Sequence, residues 1–181
     1  FGADKVLLAT GSVDAPSPVV GSGPSLTLEE AIAAPTRLGP TVAIYDLTGE
    51  FSTLGLIEHL ADLGRSVTVF TPAAAFAWRT TIYSTLGNLK RLRERKVRLA
   101  LLRKVHRWDG AMLAVEDVST GEVEEMRGFT GLVVARHRAA RDGLLAELKA
   151  RGVPVQAIGD CLAPRTALEA VYQGHEAARA I

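Results

Sequence analysis

The chain has 181 residues, of which 48% are hydrophobic, so it can form one ordinary domain or two small ones around a real core. Its 21 Lys and Arg residues nearly balance its 20 Asp and Glu residues, which excludes a global attraction to nucleic acid or to an anionic membrane. The single cysteine, Cys161, excludes an internal disulfide and a cysteine-ligated metal cluster within this sequence. We therefore expect local binding sites and no metal centre.

The start of the chain gives a further indication of its context. No apolar run is long enough to span a bilayer, and the first residues have neither the basic start nor the apolar stretch of a signal peptide. A strand-like run begins almost at once, at Lys5, with no initiator Met before it. We expect a cytoplasmic protein, which a lone cysteine also fits, and a segment of something longer.

The first predicted strand runs from Lys5 to Thr10 and closes on Gly11, where glycine permits a close backbone turn. The stretch 12–24 is rich in Pro, Gly and Ser, which predicts a linker or irregular loop. Thr27 and Glu30 then have the spacing of a capping box, which predicts the start of a short helix.

A new unit begins after Pro40. Residues 41–45 have the apolar run of a buried strand, 54–63 have helical apolar spacing that ends at a glycine, and 66–70 have the pattern of a second strand. This order predicts a βαβ unit. Residues 81–96 predict another helix, whose basic end suits the negative end of the helix dipole and indicates a solvated surface.

The next segment predicts a three-stranded antiparallel meander. Its strands are expected at 97–105, 112–118 and 122–127. Asp109-Gly110 and Thr120-Gly121 provide the turns between them.

The last part of the chain alternates strands and helices. A buried strand is predicted at 131–135, a helix at 141–151, a strand at 155–158 and a final helix from about Thr166. The apolar side of that last helix is expected to contain Leu168, Val171, Tyr172 and Ala178. We predict one split domain made of residues 1–39 and 129–181, with residues 40–128 inserted between its parts.

The residues around Asp160 are the most informative in the chain. An apolar strand ends at Gly159-Asp160 and passes through Pro164-Arg165 into a helix. This pattern puts a carboxylate beside a helix N-terminus, which suits a sugar hydroxyl next to a diphosphate. It is typical of nucleotide binding.

The layout of the whole chain resembles that of flavoprotein reductases with two dinucleotide domains. More narrowly, Ile158-Gly-Asp-Cys-Leu-Ala-Pro-Arg165 and Gly174-His-Glu-Ala-Ala-Arg179, with Glu169-Ala-Val171 between them, resemble the C-terminal end of the trimethylamine dehydrogenase and 2,4-dienoyl-CoA reductase family. The likeness extends over essentially all of the chain and is weakest between residues 73 and 128. The resemblance implies an α/β fold with two Rossmann-like domains, one inserted in the other, the outer one incomplete.

The resemblance also implies cofactors and site residues. Family members carry an upstream barrel with FMN and an iron-sulfur cluster, and a nucleotide domain that holds FAD or, in the amine dehydrogenases, ADP. On this chain the implied cofactor-binding residues, for FAD or ADP, are Thr10, Gly11, Gly159, Asp160, Arg165 and Thr166. Asp160 would bind a ribose or ribityl hydroxyl, and its alternative role is that of a helix cap. Arg165 would reach a phosphate or lie solvated on the surface, and no catalytic residue is expected.

The βαβ unit is the natural place for a nicotinamide cofactor, but its turn departs from the dinucleotide fingerprint. Residues 46–55 contain only two glycines at the wrong spacing, Glu50 would lie near the phosphates, and the second strand ends at Thr71-Pro72 without an acidic residue for the ribose. We infer that this domain keeps the fold and has lost the cofactor, as in the amine-dehydrogenase branch. The family often has a second Thr-Gly where this chain has Arg136-His137.

Three functions remain open from the sequence. The leading hypothesis is a nucleotide-binding segment of an FMN and iron-sulfur oxidoreductase of the amine dehydrogenase type, with an adenine nucleotide and the upstream barrel as its partners. The alternatives are a noncatalytic docking module for an electron-transfer protein or a subunit, and a reductase half that uses NAD(P)H. Cys161, Trp78 and Trp108 are expected to pack, and His137 to be a polar loop residue.

Overall fold

The computed structural model describes residues 4–180, which divide into two compact units. Unit 1 contains residues 4–15 and 137–180, and unit 2 is Pro16–Arg136, so unit 2 is inserted in unit 1. The strands are β1 (Val6–Leu8), β2 (Ser12–Asp14), β3 (Ser25–Thr27), β4 (Thr41–Asp46), β5 (Ser66–Phe70), β6 (Arg98–Ala100), β7 (Arg103–Trp108), β8 (Met112–Asp117), β9 (Val123–Arg127), β10 (Gly131–Ala135), β11 (Arg138–Ala140) and β12 (Val155–Ala157). The helices are α1 (Leu28–Ala33), α2 (Phe51–Asp62), α3 (Ile82–Glu94), α4 (Gly143–Ala150) and α5 (Ala167–Arg179). Within the described residues, no helix is both long and apolar enough to cross a membrane.

A five-stranded parallel sheet forms the centre of unit 2, in the order β3-β10-β4-β5-β6. The predicted βαβ unit is confirmed as β4, α2 and β5. Successive side chains of β4 point to opposite faces of the sheet, so Val42 and Ile44 pack with the helices while Ala43 and Tyr45 pack with the meander. Both faces of the sheet are therefore covered, as a parallel sheet requires.

The predicted meander is confirmed as β7, β8 and β9, which are paired antiparallel. The single strand predicted at 97–105 is wrong, because the chain forms β6 and β7 in two different sheets. Leu102, with φ of 54°, turns the backbone between them. Residues 97–105 form an uninterrupted β-prone run. A break at Leu102 was not expected, because non-glycine residues seldom adopt positive φ.

Threonine hydroxyls cap three of the helices, α1, α3 and α5. Thr27 caps α1 and Thr166 caps α5, each in a capping box with the Glu three residues later, and Thr81 caps α3. The sequence pattern therefore placed these helix starts correctly.

Unit 1 is sparsely packed. Its β1 and β12 form a two-stranded parallel sheet, and β2 and β11 form a two-stranded antiparallel one. Its buried cluster consists of Leu8, Ala157 and Cys161. The predicted apolar side of α5 is not covered within the described residues: Leu168, Val171, Tyr172 and Ala178 are exposed, and Ala177 is the buried residue of this helix.

The boundaries of the compact units differ from those of the predicted domains. The prediction was an outer domain of residues 1–39 and 129–181 and an inserted domain of residues 40–128. The reason is sheet pairing: β3 and β10, which were assigned to the outer domain, hydrogen-bond in the same sheet as β4. Val20 also forms a bridge with Arg107, so part of the predicted linker belongs to unit 2.

Candidate functional site

Two predicted site segments meet in unit 1 at the carboxyl ends of its parallel strands. Leu8 of β1 lies beside Ala157 of β12, so the two parallel strands end at the same edge of the sheet. There the Ser12 hydroxyl donates a 2.9 Å hydrogen bond to Oδ2 of Asp160, across 148 positions of sequence. The carboxyl ends of parallel strands are where α/β folds bind ligands.

Asp160 does not cap the helix that follows it. The cap of α5 is Thr166, whereas Asp160 lies in a 3-10 turn and accepts a 3.3 Å bond at Oδ1 from the backbone N–H of Arg165. Each carboxylate oxygen has two lone pairs, so the bonds from Ser12 and Arg165 leave acceptor capacity on both oxygens. The carboxylate is positioned by the protein and can still accept from a ligand hydroxyl.

Gly159 brings its backbone close to α5. Its φ of +61° is strained for any residue with a side chain, and a Cβ placed there would lie 3.5 Å from the Cβ of Ala170. Its N–H donates a 2.7 Å hydrogen bond to Oε1 of Gln173. The strand end and the helix are thereby held together.

Thr10 and Cys161 belong to the packing of this site. The Thr10 hydroxyl donates to the carbonyl oxygen of Arg141 at 2.5 Å, and its Oγ1 lies 3.2 Å from Sγ of Cys161. Cys161 is 1% exposed, which confirms the prediction that this residue is packed inside the protein. The bond to Arg141 commits the only proton of the Thr10 hydroxyl, so that hydroxyl could meet a ligand only as an acceptor.

Arg165 and Thr166 lie at the start of α5, and both are exposed. Thr166 accepts from the backbone N–H of Leu168 and its hydroxyl is bonded to the Glu169 carboxylate, so its side chain serves the helix. The hydroxyl of Thr166 lowers the pKa of Glu169, so the capping box keeps its charge to lower pH than an ordinary glutamate would. The backbone N–H of Thr166 also donates to Oε2 of Glu169, at 3.0 Å, so the predicted ligand contact of Thr166 stays a prediction.

Three contributors to the site were not predicted: Ser12, Arg138 and Gln173. The Arg138 Nε–H donates to Oγ of Ser12 at 3.3 Å, and Nη1 of the same guanidinium lies 2.9 Å from Oδ1 of Asp14. The bonds run from Arg138 through Ser12 to Asp160. Arg138 comes two residues after Arg136 in the sequence. It lies opposite Asp14 because β2 and β11 pair, and local sequence does not reveal that pairing.

The βαβ turn of unit 2 is filled by the protein's own groups. Asp46 is 1% exposed, and its Oδ1 accepts from the backbone N–H groups of Thr48 and Gly49 at 2.9 and 3.0 Å, and from the Thr48 hydroxyl at 3.0 Å. Amides at this turn are the groups that hold a pyrophosphate in a dinucleotide domain. Here a buried carboxylate takes their hydrogen bonds.

Trp78 covers the same turn. A Cβ on Gly49 would lie 2.5 Å from the indole ring, and the Glu50 carboxylate is paired at 2.7 Å with Arg79. Trp78 is 40% exposed, so it is a surface cover rather than the core residue that was expected, whereas Trp108 is buried at 2%. Within the described residues, no group of three His, Cys, Asp or Glu side chains could hold a metal ion.

No protein-family model matches this chain. No curated protein matches it in sequence. Solved structures do match.

Histamine dehydrogenase from Rhizobium sp. 4-9 superposes with a TM-score of 0.83 at 26% identity, over 97% of this chain and 30% of that one. The 6-hydroxypseudooxynicotine amine oxidase from Pseudomonas geniculata N1 superposes with a TM-score of 0.81 at 23% identity, over 97% and 28% of the two chains. A 2-naphthoyl-CoA reductase gives 0.77 at 19% identity, over 96% and 26%.

This chain therefore spans less than a third of the length of these solved proteins, and it is similar to a segment of each. The latter two likenesses show the fold alone. The predicted α/β class with Rossmann-like units is confirmed. The resemblance to the trimethylamine dehydrogenase and dienoyl-CoA reductase family, with the fold of a segment of its flavin-dependent oxidoreductases, is likewise confirmed.

Proposed function

We propose that this chain is the nucleotide-binding segment of an amine-dehydrogenase-type flavin oxidoreductase, in which unit 1 holds the adenine nucleotide of ADP or FAD. The observation that carries the proposal is the hydrogen bond between Ser12 and Asp160 at the shared edge of β1 and β12. It joins the two turns that would flank the ligand. Substrate oxidation takes place elsewhere in the parent enzyme, on FMN and an iron-sulfur cluster.

The residues around Asp160 fit such a ligand in three ways. The carboxylate keeps acceptor capacity for a sugar hydroxyl beyond its bonds to Ser12 and Arg165. Gly159 permits the turn at φ of +61° that leads the chain from β12 to Asp160. The N-terminus of α5, a 13-residue helix, puts positive potential where a diphosphate would follow the sugar.

Unit 2 has a structural role in this proposal. Its turn between β4 and α2 has its amides bonded to Asp46 and its surface covered by Trp78. A dinucleotide would have to displace a buried carboxylate and an indole. These contacts argue against the alternative of a reductase half that uses NAD(P)H.

Partners and location follow from the same proposal. The upstream barrel of the parent chain would complete the enzyme, and the site of action would be the cytoplasm. An electron-transfer protein is a further proposed partner.

The test is the nucleotide content of the full-length parent enzyme. After purification and denaturation, chromatography of the released small molecules should give ADP or FAD. FMN is also a flavin, so FAD is identified as a peak that absorbs visible light and elutes apart from FMN, whereas ADP absorbs no visible light. Asp160→Ala should lower the amount retained after dialysis by about tenfold, since a charge-assisted bond to a hydroxyl contributes roughly 1.5–3 kcal/mol.

Asp62→Ala is the matched control, because it removes a carboxylate from an exposed ion pair of unit 2. It should leave the nucleotide content unchanged. Parent enzyme that contains neither ADP nor FAD, or an Asp160→Ala variant that retains its nucleotide in full, would contradict the proposed site.

A further inference from the structure

Arg138 is attached to β2 by all three nitrogens of its guanidinium. It lies opposite Asp14 in the antiparallel pair of β2 and β11, and Ser12 is on the same face of β2 because alternate side chains of a strand share a face. Nη1 lies 2.9 Å from Oδ1 of Asp14, and Nη2 donates to the carbonyl oxygen of Ser12 at 3.1 Å. Nε–H donates to the hydroxyl of Ser12 at 3.3 Å. The planar guanidinium therefore holds the main chain and the side chain of Ser12 together.

These contacts determine where the proton of the Ser12 hydroxyl points. A serine hydroxyl has one proton and two lone pairs. The bond from Arg138 uses a lone pair of Oγ, and the proton is directed to Oδ2 of Asp160 at 2.9 Å. Arg138 thus orients Ser12, and Ser12 orients one oxygen of the Asp160 carboxylate.

The charge of Arg138 is balanced on its own pair of strands. Its partner Asp14 is 2.9 Å away, and the side chain of that aspartate is 22% exposed. A cation paired so closely presents little net charge to a diphosphate. An ordinary cross-strand ion pair would also need no contact with Ser12. The hydrogen bonds to Ser12, rather than the charge, therefore connect Arg138 with the candidate site.

Asp160 is held at both of its oxygens. Oδ2 accepts from Ser12, and Oδ1 accepts from the backbone N–H of Arg165 at 3.3 Å. These two bonds fix the plane of the carboxylate and leave lone pairs for a ligand. A carboxylate accepts hydrogen bonds and does not donate them, so its ligand group must supply a proton. A sugar hydroxyl does so, and a diphosphate oxygen does not.

We propose that Arg138 and Ser12 are positioning residues of the nucleotide site, which hold Asp160 as the acceptor for a hydroxyl of the nucleotide's sugar. This inference rests on the function proposed above. Arg138 acts through Ser12, and Ser12 acts through Asp160, so neither side chain has to touch the ligand. A carboxylate that is held in place beforehand loses less freedom when the ligand binds, and the affinity rises for that reason.

The test is a titration of the full-length parent enzyme, stripped of its nucleotide, with ADP and separately with FAD, followed by calorimetry. Ser12→Ala and Arg138→Ala should each weaken binding by about threefold to tenfold, as the loss of one hydrogen bond does. The double variant should bind no more weakly than Ser12→Ala, because Arg138 acts through that hydroxyl. Ser12→Thr retains a hydroxyl and should bind within about twofold of wild type.

Arg138→Lys separates positioning from charge. Lysine keeps the positive charge but lacks the fork of guanidinium donors, so this variant should bind as weakly as Arg138→Ala. Arg151→Ala is the matched control, since it removes from unit 1 an exposed guanidinium that is paired with Glu147. Its affinity should equal that of wild type.

The outcomes distinguish this inference from the proposed function. Wild-type affinity in Ser12→Ala, Arg138→Ala or Arg138→Lys, or additive losses in the double variant, would overturn the positioning role while Asp160→Ala still loses its nucleotide. Full retention by Asp160→Ala, or no binding of either ADP or FAD, would instead overturn the proposed function and this inference with it.

Discussion

At the scale of single residues, Gly49 shows how tightly Trp78 packs on the turn between β4 and α2. Its φ of +65° and a Cβ position 2.5 Å from Trp78 leave no room for a side chain. We predict that Gly49→Ala lowers the free energy of unfolding by about 2–4 kcal/mol, from backbone strain and from the clash with the indole. Urea denaturation followed by tryptophan fluorescence measures the change.

Gly55 provides the matched control. It lies inside α2, and a Cβ there would have no neighbour within 4 Å. Gly55→Ala should stabilise the fold by about 0.5–1 kcal/mol, because alanine loses less backbone entropy in a helix. Equal effects at the two glycines would show that Trp78 does not rest on the turn.

Tyr45 gives the protein a pH dependence at the alkaline end. Burial between the sheet and the meander raises the pKa of Tyr45 from 10.0 to about 12, and the nearby Glu116 carboxylate adds to the effect. The folded state favours the neutral phenol, so the unfolded chain releases its proton first as the pH rises. The stabilisation is complete below pH 10.0 and is lost as the pH rises towards about 12.

We therefore predict that Tyr45→Phe reduces the loss of stability between these pH values. Urea midpoints measured across the range for wild type and variant should converge as the pH rises. Tyr83→Phe is the control, since that ring is 86% exposed. Parallel curves for wild type and Tyr45→Phe would show that the phenol is not protected from ionisation.

At the scale of elements, the helix caps were the most predictable features. The Thr and Glu of a capping box are three residues apart, so local sequence contains the whole interaction. The βαβ unit was equally predictable, because the apolar runs of β4 and β5 and the helical spacing of α2 follow one another directly in the sequence. What could not be predicted depends on distant pairing. The strand Ser25–Thr27 exists because β10 lies beside it, more than one hundred positions later.

The cap of α5 allows a test confined to one unit. Both tryptophans, Trp78 and Trp108, lie in unit 2, so their fluorescence reports on that unit alone. Thr166→Ala should destabilise α5 by about 1 kcal/mol, seen as faster amide exchange in residues 167–179. Tryptophan-monitored unfolding should not change.

Glu169→Gln is the conservative companion, since glutamine also serves in a capping box. It should cost less than Thr166→Ala at neutral pH. A tryptophan transition that shifts in Thr166→Ala would mean that the two units unfold together and not separately.

At the scale of the whole molecule, the two units differ in how well their sheets are buried. In unit 2 the parallel sheet is covered on both faces by two hydrophobic clusters. In unit 1 the two-stranded parallel sheet contributes Leu8 and Ala157 to a small buried cluster that is completed by Cys161. Two strands with so small a core are marginal on their own. The exposed apolar side of α5 also indicates that unit 1 is weakly packed. Its residues follow the helical pattern that the sequence predicts, but none of residues 4–180 covers them.

The candidate site was predictable in part for the same reason. Gly159 and Asp160 were recognisable because a strand, a turn and a helix start lie together in sequence. Ser12 was not, since its bond to Asp160 depends on the parallel pairing of β1 with β12. Trp78 was not, because its place over Gly49 depends on the path of the chain after β5.

The difference between the units leads to a prediction about nucleotide binding. Amide exchange in β1 and β12 should be faster than in β4 and β10, because local stability follows the burial of each sheet. If unit 1 holds ADP, addition of ADP at about one hundred times its Kd to the parent enzyme stripped of nucleotide should stabilise that unit by about 2.7 kcal/mol. Exchange in β1 and β12 should then slow by about one hundredfold, while β4 and β10 do not respond. Protection that appears instead at residues 46–51 would place the nucleotide in unit 2, and the closed turn beneath Trp78 would have to open.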